Sequence, residues 1–345
     1  MNPDWKQFLE QQGAIFDADR AQHFGNITAE LTTTAGSTVL CDLGQFGTLR
    51  VSGEDAQSFL QNMLSSDIRE ADACRAQLSS LNTPKGRMLA TMLIWRNGGD
   101  YLLQLPRALC EPIRKKLSMY VLRAKVKITD ASDEIVSLGL SGKNAQEILS
   151  GQFGELPQLP FGFIDAGQLG VLKFSDTRFQ VSATAQYAPT LWHALSQHAQ
   201  PVGSVCWDWL SIHAGIPVIL PKTQEQFVPQ MANLELLGGV NFKKGCYPGQ
   251  EIVARMQYLG KAKRRMYLAH LDSSEAPQPG DELFSAEMEG QASGMIANVS
   301  PAPGSGYDVL AVVQISSRES QTVHWKSMQG DTLQFLSLPY SLPQN

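Results

Sequence analysis

The residues with the most chemical potential stand in one short segment, Asn241-Phe-Lys-Lys-Gly-Cys-Tyr-Pro-Gly-Gln-Glu-Ile-Val-Ala-Arg255. It carries a thiol at Cys246, cations at Lys243 and Lys244, and a Gly-Cys-Tyr-Pro-Gly run suited to a loop. The spacing predicts a helix from near Gln250, with Ile252, Val253 and Met256 as its apolar face. Gly245 and Gly249 permit backbone conformations closed to other residues and let the chain approach a ligand closely. Lys244 before the sulfur and a helix N-terminus after it would both favour the thiolate. A cysteine with no neighbouring His or second Cys is more often a small buried hydrophobe. The polar, glycine and proline flanks of Cys246 argue for exposure, so on these residues alone both readings stand.

The other four thiols, Cys41, Cys74, Cys110 and Cys206, lie in mixed or apolar stretches and are expected to be buried and inert. The five cysteines form no C-x-x-C pair, and the six histidines are dispersed with no H-E-x-x-H, so no metal site is expected. Free thiols in odd number fit a reducing compartment, which makes the expected location cytoplasmic.

The elements that must position these groups can be read from periodicity. Residues 37–53 alternate apolar and polar positions and read as a strand pair closing at Gly53. Ala56, Phe59, Leu60 and Met63 then share a helical face, with Ser52 as the expected N-cap. Ser79 to Trp95 reads strand, turn, strand, and Asn82-Thr-Pro-Lys-Gly86 supplies the turn. A helix over Pro106–Leu122 and a strand from Val126 complete a β-α-β-β-α-β order, the signature of a ferredoxin-like α+β unit. A second such stretch follows: a strand at Ile135–Leu140, a helix at Asn144–Leu149, strands over 161–182 and a helix at Pro189–His198. From Arg264 short apolar runs alternate with turn residues, as in a small β-barrel or sandwich.

At 345 residues the chain should hold two or three domains. We expect an N-terminal extension over 1–34, an α+β region of two intertwined domains over 35–262, and a β-barrel over 263–345. Hydrophobic residues at 43% and charged residues at 18% describe a folded globular protein, not a disordered one. A net charge of -5 argues against a protein that coats nucleic acid. The N-terminus lacks a signal-peptide pattern and no apolar run is long enough to span a membrane.

Lys244-Gly-Cys-Tyr-Pro-Gly-Gln-Glu251 resembles the K-G-C-[FY]-x-G-Q-E signature of the YgfZ family in every fixed position. Its flanks are similar too: Ala214-Gly-Ile-Pro-Val-Ile219, Gln226-Phe-Val-Pro-Gln230, Asn233-Leu-Glu-Leu-Leu-Gly-Gly-Val240, and the terminal Leu338-Pro-Tyr-Ser-Leu342. The resemblance implies a T-protein-like ring of three domains, two of them ferredoxin-like α+β and the third a C-terminal β-barrel. A central channel would hold tetrahydrofolate or another reduced folate. It implies an accessory role in tRNA modification through maintenance of iron–sulfur enzymes, with iron–sulfur tRNA-modifying enzymes or assembly proteins as partners.

By the same resemblance Cys246 is a functional thiol in a motif loop of Lys244, Gly245, Tyr247, Gly249, Gln250, Glu251 and Arg255. Folate-lining aromatics fall at Trp207 and Phe46, and a pterin stacks on such faces. Trp207 as plain core is the competing reading. Lys85 is either an exposed turn lysine or the cation for the folate's glutamate tail.

The chain departs from T-protein enzymes where their acidic pair should follow the 82–86 turn, since Ala90 and Thr91 stand there. The enzymes' D-x-L-R-L-E-A-G pattern becomes Asp208-Trp-Leu-Ser-Ile-His-Ala-Gly215, without the arginine and glutamate. General acid–base help is typically worth roughly 10²- to 10⁴-fold, so aminomethyl transfer is disfavoured. A tetrahydrofolate-dependent one-carbon transferase and an iron–sulfur client scaffold without folate remain the alternatives. Two basic groups stand out, one from Lys243 through Lys244, Arg255, Lys261, Lys263 and Arg264 to Arg265, the other Arg114, Lys115, Lys116, Arg123, Lys125 and Lys127. A folate tail, an acidic protein or tRNA could meet them, and direct nucleic-acid contact is the least favoured.

Overall fold

The computed structural model of the chain describes residues 1–258, 260, 262–320 and 322–343. The N-terminal residues form α1 (Pro3–Gln11), β1 (Ile15–Asp17), β2 (Arg20–His23) and α2 (Ile27–Gly36). Asn2 and Asn26 cap the two helices, their side chains accepting from the Trp5 and Ala29 amides. Next come β3 (Val39–Asp42), β4 (Phe46–Ser52), α3 (Ala56–Met63), β5 (Gln77–Asn82), β6 (Met88–Asn97), β7 (Asp100–Pro106), α4 (Arg107–Ser118) and β8 (Lys127–Asp130). The middle of the chain holds β9 (Ile135–Ser141), α5 (Ala145–Phe153), β10 (Phe163–Asp165), β11 (Leu169–Ser175), β12 (Arg178–Thr184), α6 (Ala188–Ser196), β13 (Gln200–Val202) and α7 (Ser204–His213). After α8 (Gln250–Tyr258) the chain continues through β14 (Arg264–Leu271), β15 (Glu282–Phe284), β16 (Ala292–Pro301), β17 (Tyr307–Gln314), α9 (Ile315–Ser320), β18 (His324–Trp325) and β19 (Leu333–Leu336).

The chain divides into two compact units, each assembled from three stretches. The first comprises Met1–Gln61, Asp67–Gln77 and Met92–Trp207, the second Asn62–Ser66, Leu78–Thr91 and Asp208–Asn345. One sheet runs β5-β6-β7-β4-β8. Leaving aside the added edge strand β5, its order is that of a ferredoxin-like fold built from β4-α3-β6-β7-α4-β8. A six-stranded sheet, β10-β11-β12-β9-β3-β13, repeats this plan with β3 inserted, antiparallel to β9 and parallel to β13. The architecture is α+β, as the element order predicts.

Two local expectations need correction. β3 and β4 are not partners: β3 pairs with β9 and β13, β4 with β7 and β8. Alternation specifies which face of a strand is buried, not which strand lies beside it. Ser52 does not cap α3, because it still pairs in β4 and the helix starts at Ala56, whose amide donates to Gly53 O at 3.1 Å.

The first unit's core explains why the N-terminal elements are folded. Trp5 and Leu9 of α1 pack with Leu40, Leu138, Phe179, Val181 and Trp192. The Trp5 and Trp192 rings meet edge to face with centroids 5.8 Å apart. The buried Glu30 carboxylate accepts from the Phe24 amide at 2.7 Å and the Gly203 amide at 2.8 Å. In the second unit β14–β19 form an antiparallel sheet of order β18-β15-β16-β17-β14-β19 over a core of Leu271, Ile296, Val309, Val313 and Trp325.

Candidate functional site

The 244–251 loop lies in the second unit and is built from its two ends inward. Lys244 is buried, and its ammonium donates to Leu64 O at 2.6 Å and Ser66 O at 2.8 Å. It also lies 5.2 Å from the centroid of the Tyr247 ring, itself buried. Burial pushes the Tyr247 phenol up to about 12. At the other end the Gln250 amide donates to Tyr247 O at 3.1 Å, and the Gln250 side chain to Lys244 O at 3.3 Å. Lys244 and Tyr247 therefore point inward and pin the loop, while Cys246 between them is exposed. The ammonium expected to activate the thiol is engaged with two backbone carbonyls.

The glycines divide the work unequally. Gly249 has φ +80, and a Cβ there would fall 2.5 Å from both Gly86 Cα and Thr83 O. Gly86 has φ +72, and its own Cβ would meet Ile252 Cβ at 3.1 Å. The loop and the 82–86 turn are thus seated glycine against glycine, with no side chain between them. Nothing would lie within 4 Å of a Cβ at Gly245, so that position needs no glycine for space. The turn is closed by the Thr83 amide on Arg87 O (2.8 Å) and the Gly86 amide on Thr83 O (2.9 Å). It carries the exposed Lys85 beside the thiol loop, a juxtaposition the sequence separates by nearly half the chain. Ile252 is 39% exposed and only Val253 of the expected apolar face is fully buried, so α8 rests on a narrower stripe than its periodicity predicts. Glu251 and Arg255 are exposed in the first and last turns of α8.

The positions that are acidic in T-protein enzymes have structural duties here. Ala90 is fully buried, and the Thr91 hydroxyl donates to Pro217 O (3.1 Å) and accepts from the Ile219 amide (3.0 Å). His213, where those enzymes carry a glutamate, joins a cluster invisible to spacing analysis. Asp308 Oδ2 lies 2.7 Å from His213 Nε2 and accepts from Trp209 Nε1 at 2.8 Å, and its Oδ1 lies 2.8 Å from His270 Nδ1. Burial pushes the Asp308 carboxyl up, but these hydrogen bonds outweigh it and hold it below the ordinary carboxylate value. The Tyr340 hydroxyl donates to Gly215 O at 2.8 Å, which gives the terminal Leu338-Pro-Tyr-Ser-Leu342 motif a seat.

Phe46 and Trp207 belong to the first unit. Phe46 is half-buried beside a cavity of about 20 Å³, room for one water. That cavity is lined by Trp5, Asp42, Arg107 and Ser132 among others, and not by Trp207. Trp207 is 2% exposed. A Cβ on Gly139 would lie 2.4 Å from its ring, and the Arg178 guanidinium sits 4.0 Å from the ring centroid. Backbone and cation therefore occupy the indole's surroundings. Asp42 is also buried; desolvation pushes its carboxyl up to about 6, against hydrogen bonds from Trp5 Nε1 (2.9 Å) and the Gly44 amide (3.0 Å).

Among the thiols Cys41, Cys110 and Cys206 are buried, and burial pushes Cys110 up to about 12. Cys74 is exposed, contrary to expectation, because its mixed sequence falls in a surface segment rather than a strand. The first basic group does not form one face. Lys244 is buried, the Arg265 side chain is buried against Glu235, and Arg264 is half-buried, donating to Ala292 O at 3.3 Å. Lys243, Arg255 and Lys263 are exposed, and Lys261 lies outside the described residues. Among the described residues no group of three or more His, Cys, Asp or Glu could hold a metal ion, and no helix is long and apolar enough to cross a membrane.

The GCVT N-terminal domain model matches residues 6–244. A tRNA-modifying protein YgfZ from an Enterobacter species is 31% identical over 309 residues, 88% of this chain and 94% of that protein. The protein of the same name from Shigella boydii matches to the same extent, 31% over 309 residues with the same 88% and 94% coverage. Among solved structures, the glycine cleavage system aminomethyltransferase T from Bartonella henselae superposes with a TM-score of 0.82 at 17% identity, over 98% of this chain and 97% of that one. That likeness concerns the fold.

Proposed function

We propose a function from a fixed premise: the chain belongs to the GCVT family, and within it to the YgfZ proteins. Its role is related to tRNA modification. In our reading it acts as a cytoplasmic folate-binding accessory factor that helps maintain iron–sulfur enzymes, with Cys246 as its working thiol. The observation that carries the reading is the loop itself, which buries Lys244 and Tyr247 and leaves the cysteine outside. A loop needing only a small hydrophobe would bury the sulfur.

Two buried polar atoms suit a reduced folate, a ring system rich in donors and acceptors. Asn82 Nδ2 and the Tyr247 hydroxyl have no hydrogen-bond partner among the described residues. Lys85 is exposed and available to the glutamate tail. Phe46 and Trp207 remain the aromatic candidates. The Phe46 ring has an exposed part, whereas the Trp207 ring carries the Arg178 guanidinium over its face. A bound reduced folate supplies a carrier for one-carbon units. This chain's own groups bind and orient it but offer no carboxylate at Ala90 or Thr91 to move its protons.

Calorimetric titration with tetrahydrofolate tests the reading. Saturable heat is expected, weakened by Asn82→Ala and Lys85→Ala, with no aminomethyl transfer to a lipoyl carrier. Absence of heat at millimolar folate would leave the client scaffold standing, and turnover above about 1 per second would favour the transferase.

A further inference from the structure

The second basic group lies on one protruding feature of the first unit. α4 buries Leu109, Cys110, Ile113 and Leu117 against its own sheet and ends at Ser118. The turn that follows leaves three large side chains in water: Met119 is 66% exposed, Tyr120 47% and Leu122 88%. Isolated exposed apolar residues are ordinary, but three from one turn form a patch. Leu122 also has φ +45, a left-handed backbone that a bulky residue adopts at a cost and glycine or asparagine adopts readily. The chain holds a strained leucine outward where a polar or absent side chain would be easier. Strain kept at an exposed apolar tip is the kind of outlier from which function is inferred.

Cations surround this tip, and no acidic residue occurs between Glu111 and Asp130. Three of the cations are matched locally: Arg114 and Lys115 with Glu111 at 2.8 and 3.2 Å, and Lys125 with Glu54 at 2.7 Å. Lys116, Arg123 and Lys127 make no ion pair among the described residues. In a chain of net charge -5 the apolar turn is flanked by six cations, with Glu111, Glu54 and Asp55, which accepts from the Lys125 amide at 2.8 Å, as the acidic groups that touch them.

We propose that the 119–127 turn is the docking surface for a partner protein that presents an apolar pocket rimmed by carboxylates. Protein interfaces are built in this way, with aromatic, methionine and aliphatic anchors at the centre and charges at the edge that steer and orient. A nucleic-acid backbone would take the cations but leave Leu122 and Met119 in water. A bilayer would need more apolar surface than one turn supplies, and the apolar face of α4 is already buried. A second copy of the chain would set like charges against each other. The inference rests on the proposed accessory role only in that such a factor must touch its clients, and folate titration of the same variants keeps the two readings separable.

The test uses the full chain in cells lacking their own copy, with a benzophenone amino acid replacing Tyr120. Ultraviolet irradiation should give a discrete adduct that is protease-sensitive and ribonuclease-resistant. Its yield should fall about tenfold with Leu122→Asn, and similarly with Lys116→Glu, Arg123→Glu and Lys127→Glu together. Leu122→Asn relieves the backbone, so its melting temperature should be no lower than that of the parent and its folate heat unchanged. The partner identified from the adduct, once purified, should bind the parent and not either variant. A ribonuclease-sensitive adduct would assign the surface to RNA instead. Co-flotation with phosphatidylglycerol vesicles, abolished by Leu122→Asn, would assign it to a membrane. No discrete adduct, or one indifferent to both sets of substitutions, would make it plain surface.

Discussion

The cysteine of the motif and the lysine two residues before it have opposite fates, one exposed and one buried on carbonyls. Exposure rather than a paired ammonium is then what sets Cys246 apart, and it shares that exposure with Cys74. Brief alkylation with substoichiometric iodoacetamide should label these two and spare Cys41, Cys110 and Cys206, as read by peptide mass mapping. Only Cys246→Ala should impair complementation of a strain lacking the gene; full rescue would make the thiol dispensable. Asp42 offers a second test. Its folded pKa of about 6 lies above the ordinary value, so the folded state holds the proton more tightly. Its contribution to stability is complete below about pH 4 and is lost as pH rises through 6, a swing of about 3 kcal/mol. Asp42→Asn should flatten that slope of melting temperature against pH between 4 and 7; an unchanged slope would reject the assignment.

At the scale of elements, the contact that organises the candidate site is Gly249 on the 82–86 turn. Gly249→Ala forces a Cβ into Gly86 and into a left-handed φ, and should cost about 1–3 kcal/mol, measured by denaturant unfolding. Gly245→Ala should be close to neutral, since its Cβ would point into open space. Equal losses at both positions would contradict the geometry. That difference was hidden in the sequence, where the two glycines look alike. Helices and strands with strong periodicity were legible: α3, β6, α4 and α6 fall where their apolar spacing puts them. What periodicity could not supply was partnership. It read β3 and β4 as a pair, gave no structure to residues 1–36, and missed α7, whose Trp207, Trp209 and His213 serve different neighbours. The motif loop was located by composition, but the inward turn of Lys244 depends on Leu64 and Ser66, which no local signal links to it.

For the whole molecule, the second unit is discontinuous in the chain. A C-terminal piece starting at Asp208 lacks residues 62–66 and 78–91, and with them the acceptors of Lys244, the seat of Gly249 and the Thr91 clasp. Expressed alone it should be insoluble or lack near-ultraviolet dichroism, and co-expression with 1–207 should restore a folded complex. A cooperative thermal transition from the piece alone would show that these inserts are decoration. The same interleaving sets a schedule during synthesis. Segments 62–66 and 78–91 leave the ribosome well before Lys244 and Gly249, and at roughly 5–20 residues per second the wait is on the order of ten seconds. Through that interval the Leu64 and Ser66 carbonyls and the 82–86 turn lack the Lys244 ammonium and the Gly249 backbone that they meet in the folded unit. The nascent protein is therefore most in need of a holding chaperone in the middle of its translation, and slowing codons between residues 91 and 244 would lengthen its exposure to aggregation.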